Sequence, residues 1–249
     1  METLDQVVFS GFTHEPAVEL SEKLMEILPK NQTKLFYNDN GSTATEIGIK
    51  MALQYHHNLG KDRKVMLALE DGFHGDTFGA MSVSGLSVYN GAFEDHFIQV
   101  VRLPKPMGSN NSEVISQLTS ILKDNNVAGF IYEPLVQGAA AMQTYDRDGL
   151  EAVLKLCKAN DVVCIADEVM TGFGKTGKHF ASDYLKQKPD VMCLSKALSA
   201  GMVGMGITSC TKKIYKAFYA DEISKGLFHG HTYTGNTLAC AAAIAGLDR

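Results

Sequence analysis

Lys196 follows the apolar run Val191-Met192-Cys193-Leu194, with Ser195 between, and precedes the small residues of Ala197-Leu198-Ser199-Ala200-Gly201. Desolvation disfavours an ammonium ion. A lysine held at a strand end in a crowded, dry site would therefore serve as an amine nucleophile; the same position also suits a surface lysine. Asp167 closes another apolar run, Val162-Val163-Cys164-Ile165-Ala166. A carboxylate there can face a protonated ring nitrogen, or it can simply cap a helix. Gly41-Ser42, ahead of a helical pattern, is a natural seat for a phosphate, because free N–H groups and the helix dipole both favour anions. Phe73 sits in the glycine-flanked loop Gly72-Phe73-His74-Gly75, where a ring could stack on a planar ligand or belong to the core.

Other combinations of residues carry less. His56-His57 and His229-x-His231 have no nearby acidic or cysteine partner in the sequence, so they are expected at solvent or loop positions and no metal site is expected. Phe173-Gly174-Lys175-Thr176 is similar to the end of a phosphate-binding P-loop. The glycine that pattern requires five residues earlier is Val169, which argues against a nucleotide triphosphatase. The five cysteines are odd in number and never spaced as C-x-x-C, which suits reduced thiols in a cytoplasmic protein. A net charge of −5 offers no basic stripe for nucleic acid. The start, Met1-Glu2-Thr3-Leu4-Asp5, has neither the basic nor the apolar region of a secretory signal, and no run is long enough to span a membrane.

These residues need elements to position them. Helices are expected over 13–28, with Pro16 in the first turn, over 42–57 with Ser42 as N-cap, from the capping box at Asp148–Glu151 to Ala159, and over 236–247. Strands are expected at 34–37, 65–69, 127–132, 162–166, 191–194 and 206–210, and a flexible loop at 104–111. Strands alternating with helices, several continuously apolar, predict an α/β fold with a mostly parallel sheet covered by helices on both faces. In such sheets ligands bind beyond the C-terminal strand ends, where Gly41-Ser42, His74-Gly75, Asp167 and Lys196 all fall.

Taken together, the chain resembles the fold-type I, class III aminotransferases that use pyridoxal 5'-phosphate (PLP). Ile165-Ala166-Asp167-Glu168-Val169-Met170-Thr171-Gly172-Phe173-Gly174-Lys175-Thr176-Gly177 looks like that class's central segment, and Ser195-Lys196 stands where the class places its cofactor lysine. The resemblance is strongest to the branch serving biotin synthesis. It is carried by Gly11–Leu20, by Asp39–Ser42 leading to Lys50–Tyr55, by His74–Ser82 and by His229–Asn236. Met170 and Ala139 depart from the ornithine-like relatives, which usually have Gln and an acidic residue there.

The resemblance implies that Lys196 carries PLP in covalent linkage and moves the proton, and that Asp167 pairs with the ring nitrogen. Gly41 and Ser42 would bind the phosphate and Phe73, where the family often has Tyr, would stack on the ring and meet substrate. His231, in place of a proline seen in some members, and Thr232 would reach the phosphate of the neighbouring subunit's cofactor, with Gly230 lining its substrate site. It further implies a homodimer with shared active sites. The amino donor would be S-adenosylmethionine and the keto acceptor 8-amino-7-oxononanoate. Residues 1–249 would form the large PLP-binding domain of a longer protein, with an N-terminal segment and a C-terminal small domain outside it.

Overall fold

A computed structural model describes residues 6–85, 87–88, 90–124 and 126–248; the N-terminal Met1–Asp5 lies outside them. In chain order the elements are α1 (Glu15–Ile27), β1 (Gln32–Asn38), α2 (Gly41–Asn58), β2 (Val65–Leu69), α3 (Phe78–Val83), β3 (Val100–Leu103), α4 (Asn111–Leu122) and β4 (Val127–Tyr132). They continue with the short hairpin β5 (Val136–Gln137) and β6 (Gln143–Thr144), then α5 (Arg147–Ala159), β7 (Val163–Asp167), β8 (Val191–Leu194), β9 (Gly206–Thr211), α6 (Lys212–Phe218) and α7 (Thr237–Leu247).

The main sheet has seven strands in the order β1-β9-β8-β7-β4-β2-β3. β3, β2, β4, β7 and β8 run parallel, while β9 is antiparallel to both β8 and β1. β1 therefore points the same way as β8, so its C-terminal end reaches the same edge of the sheet. All residues of β4, β7 and β8 are buried, as expected for strands covered on both faces. One face packs against α1, α4, α5 and α7, where Leu20, Leu24, Leu118, Leu150, Phe130 and Tyr132 are fully buried. The other face carries Met66, Ile131 and Ile165 beneath α2, which contributes Ile47, and α6. The expected α/β architecture with helices on both faces is thus present.

The helix caps differ from expectation. α2 is capped by Asn40, which accepts the Thr43 N–H while the Thr43 hydroxyl accepts the Asn40 N–H. Ser42 thus sits in the first turn, not at the cap. α5 is capped by Asp146, which accepts the Gly149 N–H, in place of Asp148. In both cases another polar residue two positions earlier has the extended backbone a cap requires. His14 caps α1: its Nδ1 accepts the Ala17 N–H, and its Nε2 donates to the Gly235 carbonyl, tying α1 to the start of α7.

His56 is also not at a solvent or loop position. It lies on the buried face of α2, 0% exposed, with Nε2 bonded to the Ala128 carbonyl of β4. The strand β3 and the helices α3, α4 and α6 were not expected from the sequence. No disulfide forms: the five cysteines are free and buried. Among the described residues no helix is long and apolar enough to cross a membrane, and no group of three His, Cys, Asp or Glu could hold a metal ion.

Candidate active site

The C-terminal ends of β1, β2, β4, β7 and β8 open into a cleft of about 660 Å³. Gly41, Ser42, Phe73, Asp167 and Lys196 line it, brought together from across the sequence by the strand order.

At the β1 end, the amides of Gly41 and Ser42 belong to the first turn of α2 and have no intrahelical acceptor. The loop after β2 lies against this turn. Asp76 donates its N–H to Ser42 Oγ (3.3 Å), and Gly75 adopts φ 129°, a backbone open to glycine. A Cβ on Gly75 would stand 2.2 Å from Ser42 Oγ, and one on Gly41 would stand 2.8 Å from Val169 Cγ1. Only glycines leave backbone amides exposed at such close quarters, which fits an anion held by N–H groups.

At the β7 end, Asp167 is 3% exposed. Its Oδ1 accepts the Val169 N–H (3.0 Å), and its Oδ2 accepts from His74 Nδ1 at 2.7 Å. The imidazole is buried with it, so this is a charge-assisted bond in a dry setting. Two accepted bonds leave the carboxylate further lone pairs for a donor in the cleft.

Glu133, one residue beyond β4, is also buried. Its Oε1 accepts the Phe73 N–H (3.1 Å) and its Oε2 the Gly138 N–H (2.8 Å). Burial pushes its pKa above the usual carboxylate value, opposed by the nearby His74. Glu133 thereby fixes the backbone that carries Phe73, whose ring is 42% exposed at the cleft.

Lys196 opens a short 3-10 turn after β8 with φ 49°. The expectation of a water-shielded lysine does not hold for the single chain: Lys196 lines the cleft and is exposed. Gly230 and His231 line a separate cleft beside β1, with Phe36 and His229. His231 Nε2 lies 3.5 Å from Asp39 Oδ1, and the Thr232 carbonyl accepts from Gln6 Nε2. These three residues do not enter the chain's own principal cleft.

Sequence reasoning assigned no role to His74 or Glu133. Glu133 carries the same signal that marked Asp167, a carboxylate directly behind an apolar strand. His74 was marked only as a strand-end polar residue; its partner lies 93 positions away.

An anion seat, a buried carboxylate, an exposed aromatic ring and an amine thus face one cavity. This donor set suits an anionic, planar heteroaromatic that reacts with a primary amine.

A family profile described as aminotransferase class-III matches residues 1–249. An adenosylmethionine-8-amino-7-oxononanoate aminotransferase of Synechococcus elongatus is 44% identical over 99% of this chain and 60% of its own length. The crystal structure of the enzyme of that name from Methanocaldococcus jannaschii superposes with a TM-score of 0.92 at 39% identity, over 99% of this chain and 57% of that one. An amine transaminase from an uncultivated Pseudomonas species, in its PLP-bound form, gives a TM-score of 0.94 at 30% identity, over 99% and 60%. The chain thus spans less than two thirds of the length of these relatives.

Proposed function

The chain belongs to the class-III aminotransferases, and on that premise we propose that it forms the large cofactor domain of a PLP-dependent aminotransferase of biotin synthesis. The amino group would pass from a donor, S-adenosylmethionine, to 8-amino-7-oxononanoate, giving 7,8-diaminononanoate. The substrate assignment rests on the names of the relatives at 36–44% identity over nearly the whole chain. The observation that carries the chemistry is the convergence of Lys196, Asp167, Phe73 and the Gly41-Ser42 turn on one cleft.

Bound there, PLP supplies an electron sink for the carbon next to the transferred nitrogen. The amides of Gly41 and Ser42 hold its phosphate, and Phe73 supports one ring face. Asp167, oriented by His74 and the Val169 N–H, would face the ring nitrogen and favour its protonated form. Lys196 Nζ would relay the proton from the donor's amine-bearing carbon to the cofactor, and would relay one in the opposite sense when the keto acceptor is aminated. One amine serving two substrates in turn gives ping-pong kinetics.

A homodimer follows on the same reading. Gly230, His231 and Thr232 lie outside the chain's own cleft, and the exposed Phe228 and Tyr233 flanking them suit burial against a second subunit. A cytoplasmic location is supported by five free cysteines.

The test is the visible spectrum of the purified full-length, PLP-loaded protein with and without S-adenosylmethionine. A single-turnover loss of the bound-cofactor band, followed by its return on adding 8-amino-7-oxononanoate, is expected. A band that responds to other amines but not to S-adenosylmethionine points to another class-III reaction. A band that responds to no amine marks a domain that only binds.

A further inference from the structure

The hairpin of β5 and β6 forms a wall of the principal cleft through Gly138, Ala139 and Met142. Its tip, Gly138-Ala139-Ala140-Ala141-Met142, carries no charge. Met170, from the loop after β7, packs onto it: a Cβ on Gly138 would lie 3.2 Å from both Cγ and Cε of Met170. The polar groups around the hairpin are turned to holding it. Gly138 donates to Glu133, Gln137 Nε2 donates to the Glu70 carbonyl (2.8 Å), and Lys105 Nζ donates to Gln143 Oε1 (2.5 Å).

The backbone of this wall is unusual. Leu135, Ala141 and Met142 have φ of 65°, 56° and 57°. Glycine fits such conformations without steric cost, whereas Ala and Met are strained in them. Strain of this kind persists where the surroundings over-determine it, and it concentrates at ligand clamps. Met142 is nevertheless 56% exposed. The fold thus holds a large, adaptable thioether in a costly conformation without burying it within the chain.

We propose that Met142, which lines the cleft together with Met170, is a specificity-determining residue that packs against the aliphatic chain of the substrate. This rests on the aminotransferase reading above and adds the contact that selects a long, uncharged alkyl segment over a short one. A flexible sulfur-containing side chain can follow such a chain, and the uncharged tip repels none of it.

The test compares full-length, PLP-loaded wild type with Met142→Gly and Met142→Leu. The acceptors are 8-amino-7-oxononanoate and analogues whose alkyl chain is shortened by two and by four methylenes. Glycine accepts the left-handed backbone, so Met142→Gly keeps or raises the melting temperature and folding does not confound the result. Met142→Gly is expected to lose about tenfold in kcat/KM on the full-length acceptor, mainly in KM, and to lose less on the shorter ones, flattening the chain-length dependence. Met142→Leu, which retains apolar bulk, is expected to stay near wild type. An unchanged chain-length dependence in Met142→Gly, or an equal loss on every acceptor, overturns the assignment. A wild type that aminates none of the series overturns the underlying substrate reading, and this assignment with it.

Discussion

Replacing His74 by Leu removes the donor that holds one oxygen of Asp167. The bond is 2.7 Å long, its acceptor is a carboxylate, and both side chains are buried, with exposures of 1% and 4%. A hydrogen bond to a charged group contributes about 1.5–3 kcal/mol, and a buried acceptor left short of a partner loses a similar amount. Leu is similar enough in volume that the cavity contribution is small. Taking ~2 kcal/mol and 1.4 kcal/mol per factor of ten gives about 30-fold in any quantity that depends on the carboxylate's position. The expected result is a kcat roughly 10- to 30-fold lower, with unfolding free energy down by ~2 kcal/mol. His74→Asn, whose amide can still donate, should recover part of both. The assays are steady-state turnover with the full-length PLP-loaded protein and urea unfolding. A Leu variant within twofold of wild-type kcat would refute the positioning role even if its stability fell, because the contact would then be structural only.

Other expectations concern the linkage, the anion seat and the pH response. Lys196→Ala should abolish covalent attachment of the cofactor, read as the loss of the PLP mass increment after borohydride reduction; a reducible link surviving on another lysine would reassign the amine. Gly75→Ala drives a methyl group toward Ser42 Oγ, to 2.2 Å, and should weaken PLP binding about tenfold or more, measured by equilibrium dialysis; unchanged affinity would count against the anion seat. Burial lowers the pKa of His56 from 6.5 to about 4, aided by Arg63. Its depressed native pKa means that its contribution is fully present above pH 6.5 and is lost as pH falls through about 4. His56→Leu should flatten the decline of unfolding free energy between pH 6.5 and 4, and an unaltered slope would rule out His56 as its source.

Local pattern determined much of this protein. The runs Val127–Tyr132, Val162–Ala166 and Val191–Leu194 carry no charged residue, as a strand covered on both faces requires. The polar residues beyond them must therefore lie at the edge of the sheet. That placed Asp167 and Lys196 at strand ends, Gly41-Ser42 was marked by the helical pattern it precedes, and the longer motifs carried the family. Tertiary structure decided what pattern does not encode. The direction of β9 depends on its pairing with β8 and β1, because Gly206–Thr211 is buried throughout in either orientation. The short helices α3 and α6 have too few turns for a periodic signal. The choice of Asn40 over Ser42 as a cap turns on one residue's backbone angles. The roles of His74 and Glu133 arise from hydrogen bonds spanning 93 and 60 positions, which exist only once strand order has placed the ends of β2, β4 and β7 side by side. Nor does sequence reveal that Lys196 stands in open cleft, since exposure depends on what the rest of the fold places above a residue. Hydrophobic periodicity records which way a side chain faces along its own element; it holds no information about which distant group the sheet will set opposite.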